Sequence, residues 1–458
     1  MNVMTRTDEP RTHFILVPGF AGFDALGSLH YYHGVTEALR GWKGAMYEAP
    51  LTLHYFPNLP TARIETRAKL LLDWLLQRYK RGLLRLDRGD AIHFVGHSTG
   101  GMDIRWMMKC LHEHAVRNEP IEKFPAEAII KSICSVQFLS TPHRGSNLAH
   151  VVGGWSGKLQ ALVTVLYEAS RTLRQPGARL LASSLKRLGW SAGWVHAILD
   201  TMSLFSACDE QDGLARARAR GVYFDTLKWL NDASDDFGVL ADLDPARYAA
   251  DAARAEELFR TTYAHVRLRS IVTRAEPLPG APDHDLFKIF HRWTACEPGQ
   301  ELGPDCSVRR LDAAGSVALD RAHNDGIVNC VSMVWPTPDD SVFVDADHAD
   351  ILGHHGGPGA PDEDVVNPAH KRYDIFLSSS GFDRDRFLQV WRSVRSFAFA
   401  SESGRDRRAP LARVVLPASS ARIPDAEADR AAAADSAPAP RAEADAPSST
   451  LGAEGAVQ

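Results

Sequence analysis

No stretch of the 458-residue chain approaches the run of about eighteen apolar residues that a membrane-spanning helix needs. The opening MNVMTRTDEP is polar, with no apolar segment of signal-peptide length behind a basic start, so the expectation is a soluble, cytoplasmic chain. Charge of one sign is lacking too. The 52 Lys and Arg against 57 Asp and Glu leave a net charge of −5, and the basic residues are scattered, which sets nucleic acid aside as a partner. Cysteine is sparse: Cys110, Cys134, Cys208, Cys296, Cys306 and Cys330 form no Cys-x-x-Cys pair, and reduced thiols are the expectation. What is abundant is apolar residue, 45% of the chain, enough for one elaborated catalytic domain with a large core.

The apolar runs alternate in kind. HFILVPGF (13–20) reads as a buried strand ending at a Pro-Gly break, and LTLHYFPNLP as extended chain with turn punctuation. Ile64, Ala68, Leu71, Leu72, Leu75 and Tyr79 keep helical spacing ahead of a strand at 91–95, and SICSVQFLST (132–141) is a further β-branched and aromatic run. HVRLRSIVTR (265–274) resumes the sheet, SVFVDADH (341–348) ends it, and Phe387, Val390, Trp391, Val394 and Phe397 mark a closing amphipathic helix. Strands alternating with helices predict an α/β fold with a mostly parallel central sheet covered by helices. From about 150 to 260 the pattern is rich in Leu, Ala, Trp and Arg and reads as a helical insertion. Beyond 402 the chain turns to Ala, Pro, Asp, Arg and Ser, predicting a disordered tail over 403–458 behind a catalytic domain at 1–402.

The chemistry concentrates at DAIHFVGHSTGGMDIRW (90–106), where a strand gives way to a helix at Ser98. A nucleophile there stands clear of its own backbone, and the helix N-terminus offers N–H groups to a developing negative charge. Gly96-His97-Ser98-Thr99-Gly100 has the form of the nucleophile elbow of α/β hydrolases. A serine alcohol needs a histidine base, and the base needs a carboxylate. In the order Ser, acid, His, the chain offers Asp325 in HNDGIVN and His348 in DADHADILGHH, with Asp345 and Asp347 as further acids and His354 and His355 as further bases. Backbone N–H groups of Thr99 and of Phe20, in LVPGFAG, are the expected oxyanion donors. His97 reads as a hydrogen-bonding neighbour of the elbow. TPHRG (141–145) reads either as a substrate-contacting loop or as a structural one in which Arg144 pairs with a carboxylate.

The segments LVPGFAGFD, GHSTGG, STPHRGS, NDGIVN and DHADILGH, in this order between residues 13 and 355, together resemble the bacterial true lipases of the Pseudomonas, Burkholderia and staphylococcal type. The resemblance implies an α/β-hydrolase fold with a helical lid, Ser98 as nucleophile, Asp325 as acid, His348 as base, and Phe20 and Thr99 as oxyanion donors. Pro18 and Thr99 depart from it, standing where these lipases carry His and Gln. No cofactor is implied as required. A calcium ion steadies the histidine loop in several such lipases, and Asp350 matches one ligand position, whereas His354 falls where an oxygen ligand is expected.

The implied activity is ester hydrolysis through an acyl-serine, with an acyl ester or lipid as substrate and transient contact of the lid with a lipid surface. An acyltransferase or thioesterase using the same triad stays open, as does a non-catalytic scaffold.

Overall fold

The computed structural model describes residues 10–20, 25–26, 29–40, 51–59, 61–117, 126–153, 238–245, 258–259, 261–283, 285–295, 302–355, 376 and 378–402, all within the unit Met1–Leu416. Most of the insertion expected over 150–260 and the whole tail at 403–458 lie outside the described residues.

Eight strands form one sheet: β1 Thr12–Val17, β2 Leu51–Tyr55, β3 Ala91–His97, β4 Ile133–Leu139, β5 Arg267–Arg274, β6 Cys306–Arg310, β7 Ser316–Leu319 and β8 Ser341–Asp345. Their order across the sheet is β2-β1-β3-β4-β5-β8-β6-β7, every neighbouring pair being parallel except the β6–β7 hairpin. The central strands β1, β3 and β4 are buried along their whole length, which is why they read as continuous apolar runs.

Alternation along each strand sorts side chains to two faces. Ile15, Val17, Ile92 and Phe94 join one apolar cluster with Leu71, Leu75, Ile104 and Leu111, from helices α2 (Ile64–Lys80) and α3 (Thr99–Val116), and with Ile129 of α4 (Ala126–Ser132). Phe14, Leu16, Val95 and Val344 join another with Val35 and Leu39 of α1 (Val35–Arg40) and with Trp391. Trp391 belongs to the closing helix Arg384–Glu402 and is fully buried, its Nε1–H donating to the Ile351 carbonyl at 3.0 Å. Burying an aromatic this large stabilises the fold by roughly 2–3 kcal/mol, and the hydrogen bond ties the helix to the segment after His348.

The flanks of the insertion are described. Helix α5 (Asn147–Gly153) leaves the sheet and a short α6 (Gly238–Asp242) returns beside it, Ser146 N–H donating to the Leu243 carbonyl at 3.0 Å. Ala149, Val239, Leu240 and Leu243 pack there on Ile64 and Met102. A further helix, α7 (Leu286–Ala295), and the β6–β7 hairpin lie where the sequence pattern carried no expectation. No helix among the described residues is long and apolar enough to cross a membrane.

Candidate active site

Ser98 sits between β3 and α3 with φ 54° and ψ −131°, in the left-handed half of backbone space that a serine rarely enters. Small neighbours make the turn possible. A Cβ on Gly96 would lie 2.7 Å from the backbone of Gly101, and one on Gly19 would lie 2.6 Å from Ser98 Cβ. The segment after β1 therefore passes directly over the serine. Thr99 is the first helical residue, where a backbone N–H has no partner inside its own helix.

Asp325 and His348 meet. The His348 Nδ1–H donates to Asp325 Oδ2 at 2.8 Å, and Asp325 is fully buried. Its carboxylate takes three more protein donors: Ile327 N–H at 3.0 Å and Val328 N–H at 2.8 Å on Oδ1, and the Thr273 hydroxyl at 2.8 Å on Oδ2. Four donors fix the carboxylate in direction, which pins the imidazole proton on Nδ1 and leaves the lone pair on Nε2. The loop is built for this. Asn324 Oδ1 accepts the Gly326 N–H at 2.8 Å, Asn324 and Asn329 pair across the turn, and Gly326 takes φ 95° under the ring of Phe287, where a Cβ would lie 2.5 Å away.

His97 joins these groups to the serine. Its ring lies 4.7 Å from that of His348, centroid to centroid, and its Nε2–H donates to the His348 carbonyl at 2.9 Å. That bond places the lone pair on Nδ1, which accepts the Tyr31 hydroxyl at 2.7 Å, and Tyr31 in turn accepts the Gly19 N–H at 2.8 Å. One relay thus links the segment ahead of Phe20 to the backbone of His348. Burial, then the neighbouring His348 charge, hold the His97 pKa well below that of a free imidazole, so His97 stays neutral. Burial likewise raises the Tyr31 phenol. Ser98 Oγ and His348 Nε2 form no hydrogen bond among the described contacts.

A second device reaches the same segment from below. The Pro18 carbonyl accepts from Asn58 Nδ2 at 3.1 Å and Arg67 Nη2 at 3.2 Å, and both of these also bind Asp103 Oδ2, at 3.0 and 2.8 Å. Arg67 and Asp103 are fully buried. Burial outweighs the attraction of Arg67 and pushes the Asp103 carboxyl up to about 6. Pro18, Asn58, Arg67 and Asp103 thus hold the turn that carries Phe20, a residue 36% exposed.

The other candidates do different work. Asp345 pairs with Arg310 at 2.7 Å and Arg274 at 3.6 Å, and Asp347 Oδ1 caps Ala349 and Asp350 N–H at 2.9 and 3.0 Å. His354 packs on His33, and His355 on Phe382 and Phe387. In TPHRG, His143 is buried against Trp335 and Arg105, while Arg144 makes no carboxylate pair among the described residues and lies against Gly303. Asp350 Oδ2 accepts Asp347 N–H and the Ser380 hydroxyl, each at 2.8 Å, and among the described residues no three His, Cys, Asp or Glu are grouped to hold a metal. Asp350 Oδ2 thus serves two protein donors, and the chemistry proposed for this site draws on no ion.

A triacylglycerol lipase of Vibrio cholerae is 26% identical over 146 residues, 32% of this chain and 37% of its own length. One of Pseudomonas fragi is 30% identical over 139 residues, 30% of this chain and again 37% of its own. Over these stretches the chain is similar to bacterial triacylglycerol lipases. It spans 37% of the length of each of these two lipases. Among solved structures, lipase 1 from Pelosinus fermentans aligns over 86% of this chain and 98% of its own at 14% identity, with a TM-score of 0.41. No protein-family model matches the chain.

Proposed function

We propose that this lipase relative is a serine carboxylic ester hydrolase of the α/β-hydrolase fold, cleaving acyl esters through an acyl-Ser98 intermediate. The observation that carries the reading is the buried Asp325 carboxylate fixing the His348 tautomer at 2.8 Å, beside a serine in a strained elbow. In this reading His348 Nε2 takes the Ser98 proton as Oγ attacks the acyl carbonyl. The negative charge that develops on the carbonyl oxygen is met by the Phe20 and Thr99 N–H groups. Asp325 stabilises the imidazolium, which then protonates the leaving alcohol. Water enters, gives its proton to Nε2 and attacks the acyl-serine, releasing the acid and restoring Ser98.

An acyltransferase or thioesterase differs only in the group that replaces water or the alcohol. Under the same reading the apolar stretch between 150 and 260 covers an acyl pocket and opens at a lipid surface. Hydrolysis of p-nitrophenyl esters of increasing chain length, with and without an added acceptor alcohol, tests the proposal. Free acid in water, lost in Ser98→Ala, supports hydrolysis; acyl transfer dominating over acid release supports the alternative. A rise in rate as a long-chain ester passes its solubility limit, blunted by Trp194→Ser with Ile198→Ser, supports the lid, and smooth saturation contradicts it.

A further inference from the structure

Behind the acid lies a hydroxyl chain that the ester-cleaving chemistry does not require. Thr273, the penultimate residue of β5, is fully buried, and its hydroxyl lies 2.8 Å from Asp325 Oδ2, the same oxygen that receives the His348 Nδ1–H. An ionised carboxylate only accepts, so the single Thr273 hydroxyl proton points at Oδ2. Ser140 Oγ is 2.7 Å from Thr273 Oγ1 and fully buried. With the threonine proton committed, Ser140 is the donor of that bond. The chain therefore has one direction, Ser140 O–H to Thr273 O–H to Asp325 Oδ2, each bond polarising the next.

Its anchor is unusual. Ser140 has φ 49°, and Ser98 and Ser140 are the two non-glycine residues with positive φ among those described. The Ser140 N–H donates to the Ile271 carbonyl at 3.0 Å, holding the residue just past the end of β4 with its hydroxyl against β5.

We infer that Thr273, backed by Ser140, is a positioning residue that sets the proton affinity of the Asp325–His348 pair by drawing charge from Oδ2. The inference rests on the proposed roles of Asp325 and His348. Two donors share Oδ2, so each weakens the other's hold: a donated threonine proton leaves the carboxylate a poorer partner for imidazolium, and His348 gives up its proton more readily. The base is thereby kept in its unprotonated, working form toward lower pH. Other titratable groups face the pair as well. His97 lies tilted against His348, His291 of α7 and Cys330 both sense the Asp325 charge, and Arg274, Glu276 and Asp320 act on Cys330. None of them touches Thr273 Oγ1, so a change confined to that hydroxyl isolates its effect.

Thr273→Val removes the hydroxyl at nearly constant volume, Thr273→Ser restores it, and Ser140→Ala removes only the outer bond. Proton NMR of the His348 ring, assigned by its absence from His348→Gln, follows the titration without any turnover. Beside it, the acid limb of the kcat/KM profile is measured on a soluble ester. The expected result is an upward move of the midpoint by about one pH unit in Thr273→Val and by a smaller step of the same sign in Ser140→Ala, with Thr273→Ser close to wild type. Should Thr273→Val not fold, Ser140→Ala against wild type carries the comparison. Midpoints unchanged in both variants, or moved downward, overturn the inference. A wild-type protein that hydrolyses no ester overturns the proposed function instead, because the ring titration still reads the hydroxyl chain.

Discussion

Asp325→Asn changes one atom in the most heavily bonded side chain of the site, and its consequence can be worked from the contacts. Oδ1 faces two backbone N–H groups, Ile327 at 3.0 Å and Val328 at 2.8 Å, so the amide oxygen of asparagine must take that place. Its NH2 then stands where Oδ2 stood, 2.8 Å from both the Thr273 hydroxyl and His348 Nδ1. The imidazole can meet an N–H only with a lone pair on Nδ1, which moves its proton to Nε2 and removes the base from Ser98. The same exchange in serine-protease triads costs about 10⁴ in kcat, equivalent to about 5 kcal/mol of barrier. Losing hydrogen bonds to a buried charge costs a further 1–3 kcal/mol or so of stability. Steady-state kinetics on p-nitrophenyl butyrate with a thermal melt of the same sample separates the two. Asp345→Asn and Asp347→Asn are the controls, and both are expected to stay within about tenfold of wild type. A folded Asp325→Asn protein within tenfold of wild-type kcat, or a dead Asp347→Asn, refutes the assignment of the acid.

The Asp103 clamp gives a pH prediction. Its carboxyl is raised from 3.8 to about 6 by burial, so its contribution to stability is full below about 4 and is lost as pH rises through about 6. Relative to Asp103→Asn, which does not titrate, the wild type is expected to lose on the order of 3 kcal/mol across that window, read from paired denaturation curves; a gain with rising pH contradicts it. Arg67→Met leaves Asp103 buried without its cation and is expected to cost about 3–5 kcal/mol at pH 8. At the far end of the molecule, Glu402 Oε1 binds His93 Nε2 at 2.7 Å and the Thr12 hydroxyl at 3.0 Å. Glu402→Ala is expected to lower stability by about 1–3 kcal/mol, whereas deletion after residue 405 leaves the melting temperature in place; the reverse ranking contradicts this reading of the helix end.

The parallel sheet was legible because its central strands are buried on both faces, and unbroken apolar runs such as HFILV and SICSVQFL carry that signature. The β6–β7 hairpin was not, because CSVRR and SVAL are short and half exposed, with arginines among the few apolar positions. The candidates Ser98, Asp325 and His348 stood out through turn chemistry and chain order, and Asp325 and His348 do meet. The devices that hold them were hidden by distance along the chain: Tyr31 meets His97 across 66 residues, and Ser140 meets Thr273 across 133. Arg67 did leave a trace. It falls between Ile64, Ala68 and Leu71 on the apolar stripe of α2, where a charged residue needs a buried partner.

The central claim is that Ser98 is the nucleophile, and covalent trapping tests it most directly. Incubating the protein with a p-nitrophenyl phosphonate and mapping the adduct by peptide mass spectrometry is expected to show one phosphonyl group per chain, on Ser98, with loss of esterase activity in step with labelling. Ser98→Ala should take up none. Stoichiometric inactivation with the adduct on another residue, or undiminished ester hydrolysis by a folded Ser98→Ala protein, contradicts the account.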